Sequence, residues 1–244
     1  MKKPEFTMTG VEKMPQDPAP FTVLHATDLH GQGFAFNWLA KQRDAYDMIA
    51  VTGDLCDAFD GKKRHQRIDF LIAWFEMMAE GKASIFWCSG NHEPWANVES
   101  ALKDSLDVGL RIVGPREKTA LFCGVRVRVF GWAERLRIRS FQDRLPELWL
   151  HHEPPKGFMD SGGGGHERLA KEMRLNKPLA VLSGHFHEAA DEAGDGWTDA
   201  GGTIVSNPGP LADLKGRPLF SFCELDVCPR ERASSCRWKK IHLY

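Results

Sequence analysis

Five short polar clusters along the chain combine Asp, Asn and His side chains, and each cluster follows a short apolar run. The clusters are Asp28-Leu29-His30, Gly53-Asp54-Leu55-Cys56-Asp57, Gly90-Asn91-His92-Glu93, His152-Glu153-Pro154-Pro155 and Gly184-His185-Phe186-His187. Carboxylate, amide and imidazole ligands suit divalent ions of the Mn, Fe, Co, Ni and Zn kind, and they suit thiolate-preferring ions poorly. The residue types therefore indicate a divalent metal site.

The spacing within two of the clusters also favours metal binding. In Asp28-x-His30 and His185-x-His187, residues i and i+2 project to the same side of an extended segment. If these segments stay extended, each pair can therefore hold one ion or two neighbouring ions. A tight turn at a glycine allows the backbone to approach a metal or a phosphate closely, and three of the clusters begin with such a residue. These glycines are Gly53, Gly90 and Gly184.

Each cluster taken singly also has an ordinary structural explanation. Asp54 and Asp57 are compatible with capped turns, Asn91 with an Asx-turn, and each histidine with a buried imidazole that has found a hydrogen-bond partner. Five such clusters in order, each after an apolar run, favour a shared site instead.

The apolar runs that precede the clusters are typical of strands in an α/β protein, because amphipathic stretches alternate with them. The carboxyl ends of such strands are where sites assemble, so we expect the five clusters to converge. The predicted strands are Phe21–Ala26, Asp47–Thr52, Ala83–Cys88, Glu147–His151 and Pro178–Ser183. Helical spacing of apolar residues predicts a helix over Arg64–Glu80, and weaker patterns predict helices over Asn37–Arg43, Asn97–Leu106 and Gly165–Leu175.

From Gly109 onward the pattern changes to short strands and turns with little helix, which indicates a second and more antiparallel sheet. These strands are predicted over Leu110–Val113, Thr119–Phe122, Val125–Gly131, Thr203–Ser206, Leu219–Val227 and Ser235–His242. No linker-like segment separates the two halves, so we expect one domain over residues 21–244 after a Pro-rich leader, residues 1–20.

The composition excludes several function classes. The 244 residues carry 32 Lys and Arg against 33 Asp and Glu, a formal charge of −1. A net charge near zero carries no electrostatic signature of a nucleic-acid or acidic-membrane surface, so we expect any phosphate substrate to need a local source of positive charge. No run reaches the ~18 apolar residues of a membrane span. Residues 1–20 carry charges and prolines where a signal peptide is apolar, so we expect a non-exported, cytoplasmic protein.

The six cysteines are spread along the chain without a C-x-x-C pair. Reduced thiols are the expectation for a chain of this size, with a ligand or redox pair among Cys223, Cys228 and Cys236 as the alternative.

The ordered set of clusters resembles the signature of the calcineurin-like metallophosphoesterases: D-x-H, G-D-x-x-D, G-N-H-[DE], H-x-P-P and G-H-x-H. The resemblance spans residues 21 to about 210. It implies an α/β, four-layer sandwich of two mixed β-sheets flanked by helices. The compact chain looks similar to the single-domain branch related to bacterial cyclic-nucleotide phosphodiesterases.

The resemblance also implies a site with two divalent metal ions, Mn first and Fe, Zn, Ni or Co as alternatives. The implied ligands of one ion are Asp28, His30, Asp54 and His187, and those of the second are Asp54, Asn91, His152 and His185. The implied reaction is hydrolysis of a small phosphate ester, a phosphodiester or a phosphomonoester, by attack of a metal-bound hydroxide. His92 then protonates the leaving oxygen or stabilises the transition state, Asp57 orients His92, and Asn91 and His92 contact the substrate.

Departures from the family pattern narrow the substrate class. Phosphoprotein phosphatases carry an arginine directly after the second aspartate of G-D-x-x-D, where this chain has Ala58. The missing guanidinium argues against a phosphoprotein phosphatase. Of the adjacent His151 and His152, the H-x-P-P spacing selects His152 as the ligand. His25 is expected in the core or beside the ligands, and His166 in an exposed loop.

Two other functions remain open at this stage. One is a nuclease or nucleic-acid end-processing enzyme of the same superfamily, against which the missing basic stripe counts. The other is a non-catalytic interaction module, which is expected to have lost ligands, whereas none is lost here.

Overall fold

The computed structural model describes residues 18–56, 64–92, 112–114, 119–132, 136, 138, 145–209 and 219–242. Within these residues the chain folds into two six-stranded mixed sheets. No helix in the described part of the chain is both long enough and apolar enough to cross a membrane.

The first sheet has the strand order β12-β11-β1-β2-β3-β4. Its strands are β1 (Phe21–Ala26), β2 (Met48–Thr52), β3 (Ser84–Cys88), β4 (Ile112–Val113), β11 (Leu219–Cys228) and β12 (Ala233–His242). The four strands β1 to β4 are parallel, whereas β11 pairs antiparallel with both β1 and β12. The three consecutive parallel strands β1, β2 and β3 therefore end side by side at one edge of this sheet.

The second sheet has the strand order β5-β6-β7-β8-β10-β9. Its strands are β5 (Thr119–Phe122), β6 (Val125–Phe130), β7 (Glu147–His151), β8 (Ala180–Leu182), β9 (Trp197–Asp199) and β10 (Ile204–Ser206). The four central strands are parallel, and the two outer strands, β5 and β9, are antiparallel to their neighbours.

The sheets pack face to face with helices outside, because the strands bury apolar side chains on both faces. Val23, Met48 and Leu148 lie between the sheets, whereas their chain neighbours Leu24 and Ile49 point to the helices of the first sheet. The helices are α1 (Gly33–Gln42) and α2 (Arg64–Ala79) on the first sheet, and α3 (Glu167–Asn176) and the short α4 (Ala189–Ala193) beside the second. The predicted four-layer sandwich of two mixed sheets is confirmed.

The distribution of strands between the sheets differs from the predicted one. The late strands do not form a separate antiparallel sheet: β11 and β12 extend the first sheet, and β7 and β8 belong to the second. Their periodicity is the same in either sheet, so the sequence pattern does not distinguish the two. The sequence pattern predicts neither strand β9 nor helix α4, which the structure shows. The predicted helix Asn97–Leu106 lies outside the described residues.

Candidate metal centre

The clusters meet where the parallel strands of both sheets end. Asp28 and His30 follow β1, Asp54 follows β2, and Asn91 and His92 follow β3. From the second sheet, His152 follows β7, and His185 and His187 follow β8. The backbone N–H of His185 donates to the Asp28 carboxylate at 3.1 Å, which joins the two sheets at the site. All five clusters contribute at least one residue, as predicted from the strand ends.

Three imidazoles surround the Asp28 carboxylate. Its Oδ1 lies 3.2 Å from Nε2 of His187 and 3.9 Å from Nε2 of both His30 and His152. The Nε2 atoms of His30 and His187 are 3.3 Å apart. Two ring nitrogens at this distance need a proton or a cation between them, since two lone pairs repel.

The Asp54 carboxylate lies in the middle of the cluster. Its Oδ2 is 3.4 Å from Nε2 of His152, 3.8 Å from that of His30 and 3.9 Å from that of His92. Its Oδ1 accepts a hydrogen bond of 2.9 Å from the His92 backbone N–H. Asp54 therefore faces imidazoles on both sides.

Asn91 and His185 complete the cluster on the His152 side. The amide oxygen of Asn91 lies 3.1 Å from Nε2 of His152, and the rings of His185 and His152 have centroids 5.1 Å apart. The Trp132 indole packs against both rings, with centroid distances of 5.6 Å to His152 and 5.1 Å to His185. This tryptophan has no signal in the sequence, because nothing in the pattern brings the residue after β6 to the site.

The backbone is strained at four of the cluster residues. Asp28, His30, Asp54 and His185 have φ values of 54°, 43°, 49° and 70°. Residues with a Cβ rarely adopt this left-handed region, and such strain concentrates at functional sites, where the surrounding structure holds it.

The three glycines of the clusters are required by close packing against the cluster side chains. A Cβ on Gly53 would overlap the His152 ring, one on Gly90 would overlap the Asp54 carboxylate, and one on Gly184 would overlap the Thr27 hydroxyl. Close packing against these polar side chains and the Thr27 hydroxyl accounts for the three glycines. Approach of the backbone to a metal or a phosphate at these positions stays a prediction.

Burial and charge act together on the central groups. Burial alone raises the pKa of the Asp28 and Asp54 carboxyls, but hydrogen bonds from His187 and His152 and the nearby imidazole charges outweigh it and lower both values. Burial lowers the pKa of His152, yet the hydrogen bond to Asp54 and the charge of Asp28 raise it to about 9. The two buried carboxylates thus attract positive charge into the site.

Hydrogen bonds behind the cluster orient its side chains. Nδ1 of His152 donates to the Thr52 carbonyl at 2.7 Å, which directs Nε2 towards the carboxylates. The Thr27 hydroxyl lies 2.7 Å from the Asp28 carboxylate and 2.9 Å from the same Thr52 carbonyl. Sequence reasoning missed Thr27 and Thr52, and the only available signal is that each lies within two residues of a cluster aspartate.

The comparison with known protein families decides the class of this site. The family model for the calcineurin-like phosphoesterases matches residues 21–189 of the 244. The chain belongs to the calcineurin-like phosphoesterase family. No curated protein sequence matches the chain significantly.

Solved structures share the fold of this calcineurin-like phosphoesterase. The TT1561 protein of Thermus thermophilus is 17% identical with a TM-score of 0.57, and the match covers 89% of this chain and 98% of that one. An archaeal protein described as a novel phosphodiesterase is 14% identical with a TM-score of 0.51, over 91% of this chain and 99% of the other. At these identities the likeness shows the fold alone.

The donor set of this family member fits divalent cations. Three overlapping groups, Asp28 with His30 and His187, His30 with Asp54 and His92, and Asp28 with Asp54 and His152, each hold ligand atoms within 4.8 Å of one another. Carboxylate oxygens and imidazole nitrogens are the ligands that first-row divalent ions take, and a cation replaces the proton that otherwise neutralises such a cluster.

Three further histidines have defined environments. His25 is fully buried and hydrogen-bonds through both ring nitrogens. His151 is also buried, and its Nδ1 donates to the Glu153 carbonyl at 2.7 Å. His166 is not an exposed loop residue as predicted: it is half-buried and caps α3 by accepting from the Leu169 N–H at 3.1 Å.

Some predictions fall on residues that the structure does not describe. Asp57, Ala58 and Glu93 lie outside the described residues. The role of Asp57 in orienting His92 therefore stays a prediction. No disulfide joins any of the six cysteines, including Cys223, Cys228 and Cys236.

Proposed function

We propose that this phosphoesterase uses two divalent metal ions to hydrolyse small phosphodiesters or phosphomonoesters. The position of Asp54 carries the proposal. Its Oδ2 lies within 3.4–3.9 Å of three imidazole nitrogens, those of His152, His30 and His92. A carboxylate between two sets of nitrogen ligands is what a bridging ligand requires.

The proposed ligands are divided between two positions that share Asp54. One position is formed by Asp28, His30, Asp54 and His187, and the other by Asp54, Asn91, His152 and His185. Manganese is the proposed ion. When bound, two such cations stabilise the charge on the phosphoryl oxygens and lower the pKa of a shared water.

In this proposal His92 supplies a proton to the leaving oxygen as its bond to phosphorus breaks and a water oxygen replaces it. The His92 side chain is 29% exposed, and its ring lies 4.8 Å from the His30 ring, centroid to centroid. His92 therefore borders both the cluster and the solvent, where a substrate enters. Asn91 and His92 position the substrate in this proposal. Few further side chains are needed, because phosphoryl transfer depends chiefly on orientation and charge neutralisation.

The chain's charge supports a small substrate. With a formal charge of −1 the protein has no general attraction for an extended polyanion. We propose a small phosphate ester as substrate and the cytoplasm as the compartment.

Metal analysis combined with two substrates tests the proposal. We expect the protein purified with MnCl2 to retain about two ions per chain and to hydrolyse bis(para-nitrophenyl) phosphate, para-nitrophenyl phosphate or both. Asp54→Asn is expected to lose activity together with metal. Asp199→Asn is the matched control, because Asp199 is the exposed last residue of β9. Retention of no metal together with no turnover of either substrate would overturn the proposal.

A further inference from the structure

Three backbone carbonyls converge on one buried side-chain amide. Nδ2 of Asn207 lies 3.0 Å from the carbonyl oxygen of Phe186, 3.1 Å from that of Gly184 and 3.3 Å from that of Met159. Asn207 is fully buried, so water does not replace these bonds. The two N–H bonds of one amide group thus face three acceptors from two separate segments.

The orientation of the Asn207 amide is fixed by its own partners. Its Oδ1 accepts from the Gly209 N–H at 3.2 Å, and its backbone N–H donates to the Gly196 carbonyl at 2.9 Å. A flipped amide would direct its oxygen at three carbonyl oxygens and its NH2 group at an N–H. The hydrogen-bond network therefore assigns the NH2 group to the carbonyls.

Two of these carbonyls flank His185, whose backbone is strained. His185 has a φ of 70°, and the carbonyls of Gly184 and Phe186 belong to the residues on either side of it. A residue with a Cβ stays in this region only when neighbouring groups hold it there. The same turn presents His187, whose Nε2 lies 3.2 Å from Asp28.

The third carbonyl belongs to the glycine-rich loop between β7 and α3. Met159 lies in this loop and also has a positive φ, 54°. Asp160 links the two ends of this loop, because its Oδ2 accepts hydrogen bonds from the N–H groups of Gly157 at 2.8 Å and Gly165 at 3.1 Å. Asn207 thus joins the loop to the histidine turn, residues 184–187.

We propose that Asn207 is a positioning residue for the candidate metal centre: it fixes the conformation of the histidine turn in which His185 and His187 would hold the cations, and it joins that turn to the glycine-rich loop. This inference rests on the proposed function, because it gives the hydrogen bonds of the Asn207 amide a role in metal binding. Outer groups of this kind typically change metal affinity by 10–100-fold when removed.

Asn207→Asp and Asn207→Ala test the inference. Aspartate keeps the shape of the side chain but replaces the donor with an acceptor, and alanine removes the donor without adding charge. Asn176→Asp is the matched control, because Asn176 also donates its Nδ2 to a backbone carbonyl, that of Glu172 at 2.8 Å, but at the end of α3 away from the site. Each protein is stripped with EDTA and titrated with MnCl2, and its thermal melting is recorded with and without Mn²⁺.

We expect both Asn207 variants to bind Mn²⁺ 10–100-fold more weakly than the wild type, with a smaller rise in melting temperature on Mn²⁺ addition. The control is expected to bind as the wild type does. A purely structural role would lower the melting temperature of the stripped protein and leave the Mn²⁺ affinity unchanged, which would overturn the inference.

The remaining outcomes are also decisive. A variant that folds only when Mn²⁺ is supplied counts against the inference, because any cation that binds the folded state rescues a merely destabilised chain. If neither variant folds with or without Mn²⁺, Asn207 is needed for the fold rather than for the site, and the inference fails. If the wild-type protein itself binds no Mn²⁺, the proposed function fails instead, which separates the two cases.

Discussion

His25 on β1 and Ser206 on β10 are hydrogen-bonded between the two sheets, with Nδ1 of the imidazole 2.8 Å from the serine hydroxyl oxygen. The other ring nitrogen, Nε2, lies 2.8 Å from the hydroxyl of Thr52 on β2. The ring is fully buried. Burial lowers the pKa of His25 to about 3, although the Asp28 charge opposes the shift. The imidazole that joins the sheets beneath the site is therefore neutral at physiological pH.

This neutral histidine predicts an acid-sensitive fold. The pKa of about 3 in the folded protein lies below the ordinary histidine value of 6.5 that applies to the unfolded chain, so between these values the unfolded state binds the extra proton. Stability is fully present above pH 6.5 and falls as the pH decreases, at about 1.4 kcal/mol per pH unit for one group. Denaturant unfolding of EDTA-treated protein at pH 7 and pH 5.5 measures this loss of stability. The His25→Gln variant is expected to lose less free energy of unfolding between the two pH values. Equal losses in the two proteins would contradict the assignment.

A methyl group at Gly184 is expected to disrupt the metal centre. The added Cβ would overlap the Thr27 hydroxyl and approach the Asp28 carboxylate. We expect Gly184→Ala to lose bound metal and most of its activity, as measured by elemental analysis and substrate hydrolysis. Gly33→Ala is the control, because a Cβ at this first residue of α1 meets no atom within 4 Å. Wild-type metal content in the Gly184→Ala protein would contradict this prediction. It would mean that the turn accommodates the added methyl group without displacing Asp28.

The Asp and His cluster could be predicted from the sequence because its signals are local. Each ligand type stands directly after an apolar run, and parallel strands end at the same edge. Asp28, Asp54 and His152 thus meet as expected. The groups that orient them are threonines, and a threonine before a polar cluster is indistinguishable from any strand-end residue.

The partners of Asn207 and His25 could not be predicted, because they depend on how the two sheets are stacked. Asn207-Pro208-Gly209 is compatible with a plain turn, and the acceptors of the Asn207 amide lie 21 to 48 residues away. His25 reaches Ser206 only because β10 packs opposite β1. Periodicity describes which face a residue takes and gives no information about which strand lies across the core.

His92 is expected to act in the reaction rather than in holding metal. Its Nε2 lies 3.9 Å from Asp54 Oδ2, close to the 3.8 Å of His30, so geometry alone permits either role. We expect His92→Ala to lower kcat by ~100- to 10,000-fold, the usual contribution of a general acid, while most of the metal stays bound. Elemental analysis of the same preparation used for kinetics separates the roles. Loss of both metals from His92→Ala would reassign His92 as a ligand.

Removal of metal is expected to lower the thermal stability of the protein. Asp28 and Asp54 are 1% and 2% exposed, and among the described residues the groups that face their charges without a cation are imidazoles. A ligand at 100 times its Kd stabilises the folded state by about 2.7 kcal/mol, which for a chain of this size corresponds to roughly 5–10 °C in Tm. Melting curves with MnCl2 and with EDTA measure the difference, and Asp54→Asn is expected to show a smaller one. Superimposable curves for the wild-type protein would mean that the buried carboxylates do not bind the ion, because any cation that binds only the folded state must raise Tm.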